Sequence, residues 1–326
     1  MNPKQNFLEI LKRGKPEALV RSWEPFGFVF DPLLDFTNPI SPGQTAVDPW
    51  GVTVNWGEDE PGSMPIINDH TKVCRDVTNW RNTVKAPDVA GADIDWSESV
   101  IITNEFRKQD KLTMHEIVTG LFEQLHFLLG FEDTLMNFLL EPDAMHELLD
   151  YITEFKLTYC KLLVDNLHPD SVLFHDDWGS KKNLFVSAEI WREFFKPRYA
   201  RIYGYLKEND VILVHHADCH CELIVQDMVD LGIDVWQGVT PENNIPAIQK
   251  KLEGKLILMG GIDASLVDRK DYNEETIRKE VRRACDDYVP GGSFIPCLTY
   301  GEEGSIYPGV NDIIMDEIGK ISHKYF

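Results

Sequence analysis

The chain has 326 residues, 43% hydrophobic and 26% charged, which is enough apolar material for a sizeable core and excludes collagenous, low-complexity and disordered classes. With 32 basic against 54 acidic residues its formal charge is −22, which repels nucleic-acid phosphates and anionic lipid, so neither is expected as a partner. Residues 1–17 are polar with no apolar signal core, no later run approaches a membrane span, and six cysteines in so long a chain suit reduced thiols or metal ligands; a cytoplasmic protein without disulfides is expected.

The first 95 residues read as irregular. Residues 7–13 suit a short helix with Asn6 as N-cap, after which Pro25, Pro32, Pro39, Pro42 and Pro49 break any longer element. Aromatics crowd this stretch, including Trp23, Phe26, Phe28, Phe30, Phe36, Trp50 and Trp56. The alternating, β-branched run Val52-Thr53-Val54-Asn55-Trp56 predicts a small hairpin.

From residue 99 short apolar runs alternate with helical periodicity. Val100-Ile101-Ile102 comes first, then residues 117–130, then two helices between 131 and 167, the second beginning near Asp143 after Pro142. A strand at Val172-Leu173-Phe174, a helix over 189–206 capped by Ser187, a strand at Val211-Ile212-Leu213-Val214, a helix over 222–231 and a strand at Val235-Trp236 follow. The series closes with helix 245–252, strand Leu256-Ile257-Leu258-Met259, helix 274–288, strand Ser293-Phe294-Ile295 and helix 312–323. Buried strands separated by helices mean a parallel sheet, since parallel crossovers need the helices. No glycine-rich phosphate turn follows the first strand, which argues against an open dinucleotide-binding sheet. The pattern predicts an α/β fold, a (β/α)8 TIM barrel in a single domain over 1–326. Residues 1–95 would form an irregular extension contributing to the mouth and lid, and 96–326 the barrel core.

Such barrels carry their reactive groups at the C-terminal ends of strands. After Val214 stand His215-His216-Ala217-Asp218-Cys219-His220-Cys221, and Phe294-Ile295-Pro296 leads to Cys297. Thiolate, imidazole and carboxylate are zinc donors, and a catalytic zinc takes three protein ligands. His216, one of Asp218, Cys219 or Cys221, and Cys297 would supply such a set. The plain alternative is that His215 points into the sheet and the thiols pack as small apolar groups. His175-Asp176-Asp177-Trp178-Gly179 places adjacent carboxylates at another strand end, suited to holding a proton, orienting a ligand histidine or binding a substrate donor. Met259-Gly260-Gly261-Ile262-Asp263 lets backbone approach a ligand, with Asp263 either contacting substrate or capping the next helix.

The strand-end segments resemble the uroporphyrinogen decarboxylase superfamily and, within it, the corrinoid-dependent methyltransferase branch. The resemblance runs in order over about residues 95–325 through Thr119-Gly120-Leu121-Phe122-Glu123, Leu129-Gly130-Phe131-Glu132, His175-Asp176-Asp177-Trp178-Gly179, Ser187-Ala188-Glu189, Val214-His215-His216-Ala217-Asp218, Asp227-Met228, Leu231-Gly232-Ile233-Asp234, Met259-Gly260-Gly261-Ile262-Asp263 and Gly292-Ser293-Phe294-Ile295-Pro296-Cys297. It implies a (β/α)8 barrel and, for the methyltransferase branch, zinc on a His-x-Cys pair and a distant Cys. Carried over, these fall on His216, on Asp218 in place of the first Cys, and on Cys297, with Cys219 and Cys221 as neighbouring candidates.

The expected activity is therefore zinc-dependent methyl transfer between a small substrate and the cobalt of a corrinoid protein. The donor is expected to be a methoxy-aromatic, in an O-demethylation. Asp177, His175 and Asp176 would act as catalytic or relay groups, and Trp23, Trp50, Trp178 and Asp263 would contact substrate. Expected partners are a corrinoid protein and a small-molecule methyl donor or acceptor, with a homodimer as one allowed assembly. Three other readings stay open: methylation of a thiol from methylcobalamin, a decarboxylase-like lyase, and a non-catalytic metal- or ligand-binding barrel. The stretch Arg21-Ser22-Trp23-Glu24-Pro25-Phe26-Gly27 has one Arg and a Glu where recognition of a polyanionic porphyrinogen wants several guanidinium forks.

Overall fold

Seven parallel strands form the centre of the computed structural model, which describes residues 1–38, 40–58, 63–300 and 305–326. They are β1 (Phe26–Phe28), β2 (Leu112–Ile117), β3 (Ser171–His175), β4 (Ile212–His216), β5 (Val235–Val239), β6 (Ile257–Gly261) and β7 (Phe294–Cys297). Their order in the sheet is their order in sequence, and each pairs in parallel with the next. Side chains alternate across a strand, so the curled sheet has an inner and an outer face. Leu112, Met114, Leu173, Val214, Val235, Ile257, Met259 and Ile295 pack inward with Phe7, Ile10 and Val20. Val172, Phe174, Leu213, Trp236, Leu258 and Phe294 pack outward in a second cluster against the helices.

The fold has the α/β, TIM-like architecture expected from the sequence, but among the described residues its sheet is a curled half-barrel of seven strands with β1 and β7 as edges, not a closed barrel of eight. β1 has only three residues, and β7 contains Pro296, which has no N–H to donate to a further ladder and suits an edge. Val20 packs in the same inner cluster as Ile295 and Cys297, which brings the chain before β1 to the side of β7.

Several boundaries also differ from the sequence reading. The first helix spans Pro3–Leu11, started by Asn2 in a capping box with Gln5 and by Pro3 in the first turn. Asn6 instead accepts the N–H groups of Glu17 and Ala18. Val100-Ile101-Ile102 lies on the helix Ser97–Lys108, and the strand is Leu112–Ile117. The helix expected over 189–206 breaks at Phe195 into Ala188–Phe194 and Lys196–Glu208, with Pro197 in the first turn of the second. The expected hairpin is part of a three-stranded antiparallel sheet of Thr45–Val47, Thr53–Asn55 and Met64–Pro65. Of the prolines read as breakers, Pro39 lies outside the described residues. No helix among the described residues is long and apolar enough to cross a membrane.

The N-terminal segment is fastened to the core by Asp31, which caps the helix Pro32–Thr37 by accepting from the N–H groups of Leu33 and Leu34 and also accepts the Tyr159 hydroxyl at 2.9 Å. Burial pushes its pKa up to about 6 despite these three donors. Because the folded value lies above the unfolded one, this group's contribution to stability is present below about pH 4 and is lost as pH rises through about 6. The difference corresponds to about 3 kcal/mol. Asp31→Asn keeps an oxygen acceptor without the charge, so its stability relative to the native chain is expected to rise by that order between pH 4 and pH 7 in urea titrations. A constant difference across this range would show that the carboxylate is well solvated.

Candidate active site

Alternation along the strands puts Glu116, His175, His216, Gln237 and Cys297 on the inner face, above the apolar inner layer and towards the C-terminal ends. The register sets His175 opposite His216 and His216 opposite Gln237. The two imidazoles stack with centroids 4.3 Å apart and planes 16° from parallel. His175 Nδ1 lies 3.0 Å from Glu123 Oε2. Glu123 is the third residue of the helix Leu121–Leu129, and its carboxylate also accepts the Gly120 N–H. Burial opposes charge on His175, but Glu123, Asp177 and Glu116 together raise its pKa to about 10. For His216 the balance is reversed: burial, and then the positive His175 beside it, lower it to about 4. Beneath this group the buried Lys156 hydrogen-bonds the Val118 carbonyl at 3.3 Å, and burial lowers its pKa to about 8.

Asp177, in the loop after β3, completes a compact group. One ligand atom each from His175, Asp177 and His216 lies within 4.8 Å of the others. The Asp218 N–H donates to Asp177 Oδ1 at 2.9 Å, which ties the loop after β4 to the loop after β3. Burial raises both carboxyls to about 6, helped by Glu123 at Asp177 and by Asp177 at Asp218.

Asp176 does not belong to this group. It is buried and accepts four hydrogen bonds, from the N–H groups of Phe122 and Glu123, from Trp178 Nε1 and from the Tyr199 hydroxyl. It therefore caps the start of the helix Leu121–Leu129, and the catalytic part expected of it gives way to a structural one. Gly120 makes room, since a Cβ there would fall 2.0 Å from the Asp176 side chain.

The expected substrate contacts are placed elsewhere too. Trp178 is 1% exposed, with its ring stacked 3.9 Å from that of His215 and edge-on to Trp191. His215 faces outward, bonded to the Tyr203 hydroxyl at 2.7 Å, so this cluster fills the layer between sheet and helices. Trp50 is buried against Phe155, and Trp23 is half-buried against Phe26 and Phe28. Asp263 caps the short helix Ala264–Val267 by accepting the Ser265 N–H. Trp178→Phe is accordingly expected to lower stability by about 1–2 kcal/mol through the lost hydrogen bond and packing, with KM for any substrate unchanged. A raised KM at native stability would return Trp178 to the mouth.

The thiols also stand apart. Cys219 and Cys221 are buried with their sulfurs 3.2 Å from each other, in a turn that Asn243 holds by accepting the Cys221 N–H and donating to the Cys219 carbonyl. Cys297 lies beside Gln237 and Ser22, and burial raises its pKa. Among the described residues no cysteine joins the metal-capable group, which is built from His175, Asp177 and His216.

Glu123 and Gln237 are site residues the sequence reading passed over. Glu123 was legible as the acidic third residue after a helix start, and Gln237 as the next inward position after Val235.

Residues 45–303 match the protein-family model described as uroporphyrinogen decarboxylase (URO-D). The uroporphyrinogen decarboxylase of Geobacillus kaustophilus is 26% identical over 189 residues, 57% of this chain and 49% of that protein. That of Ralstonia pickettii is 24% identical over 190 residues, covering 56% and 48%. The match thus spans about half the length of these curated relatives. Among solved structures, a methyltransferase from Methanosarcina mazei superposes over 98% of this chain and 99% of its own with a TM-score of 0.66 and 13% identity, which shows a shared fold.

Proposed function

The chain belongs to the uroporphyrinogen decarboxylase family, and from that premise we propose that it is a zinc-dependent methyltransferase acting between a small methoxy-aromatic substrate and the cobalt of a corrinoid protein. The observation that carries this reading is the group of His175, Asp177 and His216 at the C-terminal end of the sheet. Two imidazoles and a carboxylate form a recognised zinc donor set, and three protein ligands leave a position for substrate. Zinc held by these three residues supplies Lewis acidity toward the ether oxygen.

The chain's own residues supply the rest. Glu123 and Gln237 hold the two imidazoles. Asp218, fixed to Asp177 through its backbone, would give its proton to the ether oxygen, which keeps the electrons of the broken C–O bond, while the electron pair for the new bond to methyl would come from the reduced corrinoid of the partner. With Trp50 and Trp178 in the core, a ring contact falls to Tyr300, close enough to Asp218 to feel its charge.

Decarboxylation is the second reading, favoured by the names of the curated relatives. Against it, Arg21 is bound to Glu24, and the mouth presents Asp177 and Asp218, which repel a polycarboxylate. The deciding experiment mixes the zinc-loaded protein with a reduced corrinoid protein and methoxy-aromatic donors, and follows cobalt methylation by absorbance and phenol release by chromatography. Equal amounts of both products are expected. Carboxylate loss from a porphyrinogen, with no cobalt methylation from any donor, would replace this reading by the second.

A further inference from the structure

The orientation of one amide fixes which nitrogen His216 can offer. Gln237 reaches the Thr299 carbonyl at 2.9 Å, and a carbonyl oxygen only accepts, so the amide must turn its Nε2 that way. Its Oε1 then faces His216 Nδ1, with which it is hydrogen-bonded. An amide oxygen also only accepts, so the proton of the neutral ring sits on Nδ1 and the lone pair on Nε2.

We infer that Gln237 is a positioning residue, which locks His216 in the Nδ1–H form and leaves Nε2 as the nitrogen whose lone pair can ligate. This rests on the metal site proposed above only for its purpose; the ring's protonation pattern stands on the hydrogen bonds themselves. The backbone is built to hold the clamp. His216 and Gln237 are cross-strand partners, and the Ala217 N–H donates to the Gln237 carbonyl at 3.0 Å. On the other side of β5, its ladder with β6 shifts register between Gln237 and Val239. Gly238, at φ +100°, sits where a Cβ would lie 2.8 Å from the Ala217 carbonyl oxygen, so only glycine lets β5 press this closely against the loop after β4. Glu123 serves His175 in the same way but with a carboxylate, so one ring has an anionic partner and the other a neutral one.

The test uses the metal-free protein labelled with 15N-histidine, with His216 among the ten histidines assigned by its loss in His216→Gln. In the native chain, at a pH where His216 is neutral, Nδ1 is expected in the protonated, pyrrole-like region and Nε2 in the unprotonated, pyridine-like region. Gln237→Met, which keeps the bulk and removes the amide, is expected to give a mixture of tautomers and to weaken zinc binding about 10- to 100-fold in a chelator competition. Gln237→Glu restores an acceptor at Nδ1 and is expected to restore both readouts. A native His216 protonated at Nε2, or a Gln237→Met protein with unchanged tautomer and unchanged zinc affinity, overturns the inference. A native chain with the assigned tautomer that binds no zinc supports the ring assignment and overturns the metal site alone.

Discussion

Alanine at His216 is expected to weaken zinc binding by about 10²–10⁴-fold, since roughly 10–16 kcal/mol of structural-zinc affinity shared over three or four ligands gives each about 3–5 kcal/mol. Methyl transfer should fall below detection at the same time, while the metal-free protein loses about 1–3 kcal/mol, since the buried Gln237 Oε1 is left without its donor but the lowered pKa of His216 means that no charge is lost with the ring. His175→Ala should behave differently. It removes a ligand and also strips the cation from the buried Glu123 carboxylate, so it should cost about 3–5 kcal/mol of stability even without metal. Zinc titration against a chelator, paired with urea denaturation of both variants, separates the two effects. Native zinc affinity in His216→Ala would remove this residue from the metal group.

The second large effect is expected at Asp176. Alanine there would leave two backbone N–H groups, the Trp178 indole and the Tyr199 hydroxyl without an acceptor inside the core. Each such group costs about 1–3 kcal/mol. Relaxation of the site should reduce the sum to about 3–5 kcal/mol, in the range of broken buried networks. Asp176→Asn keeps one acceptor oxygen and should lose less, which makes the comparison readable if the alanine variant fails to fold. Denaturant midpoints check this, and the expected pattern is loss of stability ahead of any loss of zinc affinity. Native stability with abolished turnover would restore Asp176 to the catalytic group.

The contrast between Asp176 and Asp177 shows where sequence reasoning stops. Adjacent carboxylates after a strand are visible in the sequence, but which one turns toward the helix start and which toward the histidines depends on Gly120 and Tyr199, distant along the chain. His175 and His216 were legible because they follow the inward residues Leu173 and Val214 by two positions. β2 was overlooked because Thr113, His115 and Glu116 interrupt its apolar residues, although Leu112, Met114 and Glu116 keep the alternation, whereas Val100-Ile101-Ile102 imitates a strand on a helix. The density of cysteines after β4 pointed to a thiol-bound metal, yet residue type carries no direction, and Asn243 folds Cys219 and Cys221 onto each other. Aromatic content likewise did not separate core from mouth: Trp178 and Trp50 fill the interior, while Phe30 is exposed. Strand number was overcounted because a repeat of strand and helix does not reveal that the sheet ends at a three-residue β1 and a proline-bearing β7.

The central claim is a metal held by His175, Asp177 and His216, and X-ray absorption at the zinc edge on the zinc-loaded protein tests it most directly. The expected result is about one zinc per chain with nitrogen and oxygen neighbours near 2.0–2.2 Å and no sulfur. A sulfur neighbour near 2.3 Å that disappears in Cys297→Ala, or a protein that takes up no zinc after reconstitution, would contradict it.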